Sequence, residues 1–271
     1  MNERYKRQSF LGPQSDRIFA DCIVAIIGLG GGGSHVAQQL AHLGIANFVL
    51  IDSDKGVEES NLNRLVGATL EDATQGSKKT SVASRLISGI NPLARAERVD
   101  GQWQESHEFL RGCDVIFGCV DTYRDRSELE TTARRYLVPY IDIGMDVHED
   151  GGSYSISGQV ILSMPGQLCM RCLGFIRESL LAKEAENYGA AGGRPQVVWA
   201  NGVLASLAVG VFTQLFTPWH KAHLTTVYLE YDGNDQSVRT SNRLMLMTEK
   251  DCQHFQKLSD LGDPFWIPER V

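Results

Sequence analysis

The stretch with the clearest chemical potential is Gly28-Leu-Gly30-Gly31-Gly-Gly33-Ser34, which satisfies the spacing G-x-G-x-x-G. It directly follows a β-branched run, Cys22-Ile-Val-Ala-Ile-Ile, and directly precedes residues with helical spacing. Glycine suits a turn where a Cβ would keep the backbone away from a phosphate. The N–H groups that open the following helix, at the positive end of its dipole, favour an anion. Gly28, Gly30, Gly31 and Gly33 are therefore candidate phosphate-cradling positions. Asp52 closes a second apolar run, residues 47–51, where a carboxylate can accept hydrogen bonds from ribose hydroxyls. Asp54 competes for that role, and we read it as a solvated turn residue. The glycine motif alone leaves NAD, FAD and ATP open.

The segment after Asp52 separates them. Hydride transfer needs a nicotinamide pocket and no concentration of cations over a triphosphate. Adenylyl transfer needs cationic donors around the α-phosphate and the leaving pyrophosphate, plus a carboxylate for Mg²⁺. Arg64 and Lys79 can supply the donors, with Lys78 as the alternative to Lys79, and Asp121 at a strand's carboxyl end can hold the metal. Cys169-Met-Arg-Cys172 has the spacing of half a tetrahedral zinc site. The remaining thiols, Cys22, Cys113 and Cys119, sit in or beside predicted strands and read as packing residues.

These side chains need a scaffold, and the hydrophobic pattern supplies one. Strand, glycine turn, helix (residues 34–43) and strand (47–51) make a βαβ unit with short connections. A helix is predicted over 79–90, ending before Pro92. Strands are predicted over 94–99, 115–120 and 140–143, with a charged helix over 124–136. Residues 153–157 and 159–163 flank Gly158 and read as antiparallel strands. Residues 175–194 are polar and rich in Gly and Ala, residues 197–216 form a long apolar helix, and 225–231 with 237–247 read as a final strand pair. The fold class is α/β: a Rossmann-like, mostly parallel sheet with an antiparallel C-terminal extension. We expect one domain over residues 1–250, with a nucleotide-binding half near 20–145 and an acceptor-binding half near 146–250, and a tail over 251–271.

Bulk properties narrow the function classes. The chain has 271 residues and a formal net charge of −7, which argues against a protein that coats nucleic acid or anionic membrane. No stretch approaches the roughly 20 apolar residues of a membrane span. Residues 1–7 are polar and basic, so no secretory leader is expected. Six scattered cysteines make no secreted disulfide framework, so a reducing cytoplasm is the expected compartment.

Several motifs in one order resemble the ThiF/MoeB/HesA superfamily, relatives of ubiquitin-activating enzymes. They are Arg4-Tyr-Lys-Arg7-Gln, the glycine turn, Asp52-Ser-Asp54, Ser60-Asn61-Leu-Asn63-Arg64, Ala73-Thr-Gln-Gly76-Ser-Lys-Lys79, Ile90-Asn-Pro92, Cys119-Val-Asp121 and Cys169-Met-Arg-Cys172. The resemblance implies an ATP-dependent adenylyltransferase. Asp52 would hold the ribose, Asn61, Arg64 and Lys79 would surround the phosphates, and Asp121 would be associated with Mg²⁺. Arg7 would reach into a neighbouring subunit's nucleotide site, which implies a homodimer. Arg126 falls on a recurrent arginine after the aspartate. In the family a second C-x-x-C completes the zinc site; here the tail offers only Cys252-Gln-His254, which would give a Cys₃His set. The leading acceptor is the C-terminal glycine of a ubiquitin-like or sulfur-carrier protein. The alternatives are a peptide, small-molecule or tRNA-linked carboxylate, or a non-catalytic nucleotide-binding partner subunit. The loop over 187–196, where relatives often carry a transfer cysteine, has none, which speaks against an enzyme-bound thioester; Arg194 and Gln196 there are candidates to meet a substrate tail.

Overall fold

The computed structural model describes residues 3–186, 195–220, 224–247, 251–255, 261–263 and 265–268. In chain order its helices are α1 (Ser15–Asp21), α2 (Gly31–Leu43), α3 (Leu70–Gln75), α4 (Lys79–Ile90), α5 (Tyr123–Arg135), α6 (Glu178–Glu186), α7 (Val198–Phe216) and α8 (Asn242–Leu246). Its strands are β1 (Ile23–Ile27), β2 (Asn47–Asp52), β3 (Arg95–Asp100), β4 (Val115–Gly118), β5 (Tyr140–Asp150), β6 (Ser153–Ser163), β7 (Val227–Asp232) and β8 (Ser237–Thr240). Three 3-10 segments, Glu3–Leu11, Glu59–Asn61 and Trp103–Gly112, fill the connections.

β1 is aliphatic throughout, and a strand apolar on both faces belongs in the middle of a helix-covered parallel sheet. It pairs in parallel with β2 on one side and β4 on the other; β3 and β5 extend the sheet beyond them. The order β3-β2-β1-β4-β5 places a topological switch point between β1 and β4, where the crossovers diverge and a crevice opens at the strands' carboxyl ends. Alternation along the strands feeds two cores. Val24, Ile26, Ile141 and Val160 pack with α2 and α7 residues such as Leu40, Leu204 and Phe212. Ala25, Ile27, Ile116 and Ile161 pack instead with Leu129 of α5 and with Trp103 and Leu173.

From β5 onward the sheet turns antiparallel. β5 and β6 pair from Tyr140↔Ser163 to Asp150↔Ser153, and Gly151 and Gly152 turn the chain with φ of +57° and +84°. β7 and β8 complete the edge. The expected mixed sheet is present, with four local departures. Residues 153–163 form one continuous strand: Gly158 does not break it, because a Cβ there would meet Leu204 and the Gly144 carbonyl, so glycine serves close approach. The second strand of the last pair stops at Thr240, where Ser241 accepts from Arg243 N and starts α8. The polar stretch after residue 175 contains the helix α6. Finally, the described residues of the tail dock on the domain: Asp263 N bonds to the Arg135 carbonyl at 2.7 Å, and Tyr136 Oη donates to the Trp266 carbonyl at 2.8 Å. By length and composition α7 could cross a membrane, contrary to the sequence expectation, but half of it is buried, against α2 and the β5–β6 hairpin.

A loop between β2 and α4 carries Asn61, Arg64 and Lys79, and it is ordered from below. Val57, Leu65 and Val82 form a small apolar cluster under it. Thr69 and Asp72 make a reciprocal capping box on α3. Arg85 grips both oxygens of buried Asp72, at 2.8 and 2.6 Å. Arg85 first, and the Thr69 donors after it, hold the Asp72 carboxyl well below the usual carboxylate range, against the opposing effect of burial. A depressed folded-state pKa stabilises above the unfolded value and loses that stabilisation as pH falls through the folded one. Asp72→Asn is expected to cost roughly 1–3 kcal/mol in urea unfolding at pH 7. The gap between variant and parent should narrow as pH drops below about 4.

Candidate functional site

The cleft at the switch point is built on backbone approach. Gly28 ends β1 with φ +84°, bonding through its N–H to the Ile51 carbonyl at 2.9 Å, while Cys119 N bonds to the Ile27 carbonyl at 2.8 Å. A Cβ on Gly28 would strike the Cys119 carbonyl, and one on Gly33 would overlap the Gly28 carbonyl. A Cβ on Gly31 would overlap the buried Asn201 amide of α7. Gly30, the residue capping α2, has nothing within 4 Å of an ideal Cβ, so the helix opens with no side chain over its first N–H groups. The helix starts at Gly31, three residues before the expected Ser34, which puts the glycines into its first turn.

Around this turn lies a cavity of about 280 Å³. Its lining includes Gly28, Gly30, Gly31, Asp52, Asn61, Arg64, Lys79 and Asp121, so the structure brings together all the cleft residues singled out from sequence except Gly33 and Arg7. Gly33 sits in the first turn of α2 and lets the turn close. Arg7 is exposed on the N-terminal 3-10 segment.

Asp52 is anchored by two backbone donors, Leu29 N at 2.6 Å and Asp54 N at 3.0 Å. Burial pushes its carboxyl up, with Lys79 and those donors pulling the other way. Lys79 is buried and forms an ion pair with Asp54. Asp54 is solvent-exposed, as expected of a turn residue, and is in addition the lysine's partner. Asn61 Oδ1 accepts from Glu58 N at 3.0 Å and closes a small capping box, so this residue shapes the loop while facing the cleft. Arg64 Nη1 donates to the Ser60 carbonyl at 2.7 Å and to Asn63 Oδ1 at 3.0 Å, holding an exposed guanidinium over the cleft. Asp121 follows β4 at the mouth, 3.5 Å from the Gln196 amide nitrogen. Gln196 lines the cleft; Arg194 and the rest of 187–194 lie outside the described residues.

Several lining residues escaped sequence reasoning. Gly101, Gln102 and Trp103 enter from the end of β3, Asp125 from α5, and Ile143, Gly144 and Met145 from β5. Arg126 is buried with Asp142, Nη1 to Oδ2 at 2.5 Å. Burial works against its charge, but the fields of Asp142, Tyr140 and Asp121 outweigh it and keep it a cation. Asp142, flanked by Ile141 and Ile143, and Asn201 in a largely apolar helix were the available signals, since a buried polar group must have a partner. Cys119 also lines the cleft, beyond the packing role expected for it; burial, followed by the field of Asp142, drives its thiol far above the ordinary range. Cys22 and Cys113 are buried as expected, each pushed up to about 12, first by burial.

A second constellation lies on the α5 side. Cys169, Cys172, Cys252 and His254 place one donor atom each within 4.8 Å of one another. Cys172 Sγ lies 3.6 Å from Cys169 Sγ and 3.7 Å from Cys252 Sγ, and His254 Nδ1 lies 3.5 and 3.3 Å from Cys169 and Cys172. Tetrahedral Zn–S bonds of about 2.3 Å require S···S edges of roughly 3.8 Å, so these residues fit a Cys₃His zinc centre. A hydrogen bond from Cys169, with backbone donors of His254 and Phe255 assisting, pushes Cys252 down to about 4. The same hydrogen bond, followed by burial, pushes Cys169 up.

Comparison with known proteins places this architecture. The E. coli MccB structure with ATP shares the fold, with a TM-score of 0.71 over 89% of this chain and 71% of that chain, at 19% identity. By sequence the chain is 30% identical over 176 residues to the SAMP-activating enzyme E1 of Haloferax volcanii, covering 63% of this chain and 61% of the relative. It is 30% identical over 179 residues to the sulfur carrier protein ThiS adenylyltransferase of Escherichia coli, covering 63% and 66%. The chain therefore spans less than two thirds of either relative's own length. The ThiF family profile matches residues 5–254, and the chain belongs to the ThiF family.

Proposed function

We propose that this chain uses ATP to adenylylate a substrate carboxylate and releases pyrophosphate, and that the acceptor is the C-terminal glycine of a ubiquitin-like or sulfur-carrier protein. One observation carries the reading: an open helix N-terminus, a strand-end carboxylate, two cations and a mouth carboxylate converge on a single cleft. The names of the SAMP-activating and ThiS-adenylylating relatives support the choice of acceptor.

The roles follow from charge and position. Asp52 takes the ribose hydroxyls, and the N–H groups opening α2 face the phosphates. Gly101, Gln102 and Val120, beyond Asp52, flank the base. Asn61, Arg64 and Lys79 neutralise the triphosphate, Lys79 exchanging part of its pairing with Asp54 for phosphate oxygen. Asp121 would hold Mg²⁺, which when bound offsets charge on the phosphate oxygens. A carboxylate is already nucleophilic at neutral pH, so attack on the α-phosphorus needs alignment and charge stabilisation but no general base. Arg7 reaches the cleft of a second copy in a homodimer.

The acyl-adenylate, held non-covalently, is the last intermediate this chain forms. All six cysteines are accounted for: Cys22, Cys113 and Cys119 have thiols pushed up by burial, and Cys169, Cys172 and Cys252 belong to the metal-binding set. The thiolate is the nucleophilic form, so Cys22, Cys113 and Cys119 are not poised for acyl transfer, and a metal held by the other three would occupy their sulfurs. The adenylate passes to an external nucleophile. The zinc centre is structural, because all four positions are filled by protein.

Pyrophosphate exchange into ATP, measured with Mg²⁺ and a Gly-Gly-ended carrier protein, should be acceptor-dependent. Arg64→Ala and Asp121→Ala are each expected to lower it at least ~100-fold. Exchange supported only by peptides would overturn the choice of acceptor, and ordinary exchange in both variants would overturn the site. Intact-mass analysis after turnover should find no thiol-labile acyl adduct on the chain; a stoichiometric adduct lost with Cys119→Ser would disprove the adenylate endpoint.

A further inference from the structure

The two halves of the Cys₃His set come from segments 80 residues apart in sequence, Cys172 and Cys252, with no secondary structure shared between them. What lies behind both is one ion pair on the inner face of α5. Glu130 and Arg134 are each 1% exposed, with Nε to Oε1 at 3.7 Å. Glu130 Oε1 accepts from Met170 N at 2.8 Å, between the two cysteines of the knuckle, and from Ser163 Oγ at 2.5 Å. Arg134 donates to the Gln167 and Leu168 carbonyls, both at 3.0 Å, on the approach to Cys169, and to Ser163 Oγ at 2.8 Å. Its guanidinium also lies 4.9 Å from the ring of Phe255, the residue after His254.

A buried ion pair is not by itself a source of stability, since desolvation offsets much of the attraction. Here three of these five hydrogen bonds go to the segment that leads into and through the Cys169–Cys172 knuckle, and the other two go to Ser163 Oγ at the end of β6. We infer that Glu130 and Arg134 are positioning residues of the metal centre: together they hold the backbone of the Cys169–Cys172 knuckle and the face of Phe255, so that both halves present their donor atoms at once. The pair does not touch the metal. It fixes carbonyl and N–H directions on one side through hydrogen bonds and places the tail on the other through a cation–π contact. This inference rests on the reading of the Cys₃His set as a zinc site.

The experiment uses the full-length chain, zinc-loaded, in competition with a chromogenic chelator, alongside the visible absorption of the cobalt(II)-substituted protein. The variants are Glu130→Gln, Arg134→Lys and Phe255→Leu. Phe255→Leu leaves both members of the α5 pair and their hydrogen bonds in place and removes only the ring against Arg134, so it decides the matter if the α5 variants do not fold. The parent should bind one zinc per chain, and each folded variant should bind it about 10–100-fold more weakly, as losses of outer supporting contacts do. The cobalt(II) ligand-field bands should weaken or shift in parallel. Zinc affinity within about twofold of the parent in Phe255→Leu and in whichever α5 variant folds would overturn the positioning role, however far the melting temperature drops. A parent chain that takes up no zinc, or takes it up equally well after Cys169→Ser with Cys172→Ser, would instead overturn the zinc reading on which the role depends.

Discussion

The cleft depends on how closely two strand ends and a helix start can approach one another. Gly28 ends β1 at φ +84°, and its carbonyl occupies the place a Cβ on Gly33 would need. With any larger residue at either position, α2 would ride away from β1, and its first N–H groups would no longer face the gap between β1 and β4. The same approach lets Leu29 N reach Asp52 at the end of β2. One steric condition therefore aligns the helix dipole, the strand-end carboxylate and the backbone after β4.

Charge in the cleft is organised around that alignment. Asp52 is neutralised locally by two backbone donors and by Lys79, and Lys79 is steadied by Asp54. The loop bearing Asn61, Arg64 and Lys79 is stiffened from beneath by Asp72, Arg85 and three aliphatic residues, so its cations meet the cleft with little ordering left to do. Arg126 and Asp142 place a second, fully buried ion pair under the β5 side of the cleft.

α5 links this chemistry to the opposite end of the domain. Its first turn, capped by Thr122 through Asp125 N, lines the cleft, whereas its last two turns carry Glu130, Arg134 and Arg135. Arg135 lies 4.5 Å from the ring of Trp266, and Arg134 faces Phe255, so the C-terminal segment is packed on the same helix that borders the cleft. The Cys₃His set joins the two segments where they meet.

Sequence reasoning resolved what local physics dictates. The βαβ unit was legible because an aliphatic run, a glycine turn and helical spacing leave few alternatives over residues 23–52, and the helix over Lys79–Ile90 was bounded by Pro92. That Asp52, Arg64, Lys79 and Asp121 would line one cleft was legible from their positions at strand ends and in one motif-bearing segment. Other features depended on contacts far apart in sequence. Gly158 reads as a break but is a packing site against Leu204, and Asp54, solvated as it reads, also pairs with Lys79. Asn201 meets the cleft only because α7 folds across it, and Arg126 of α5 is set beside it by its buried pairing with Asp142 of β5. Cys252 and His254 offered a weak spacing signal. Whether they would stand opposite Cys169 and Cys172 was settled by the tail folding back onto α5, since ligand geometry is a property of positions in space, and local spacing constrains only one half of it.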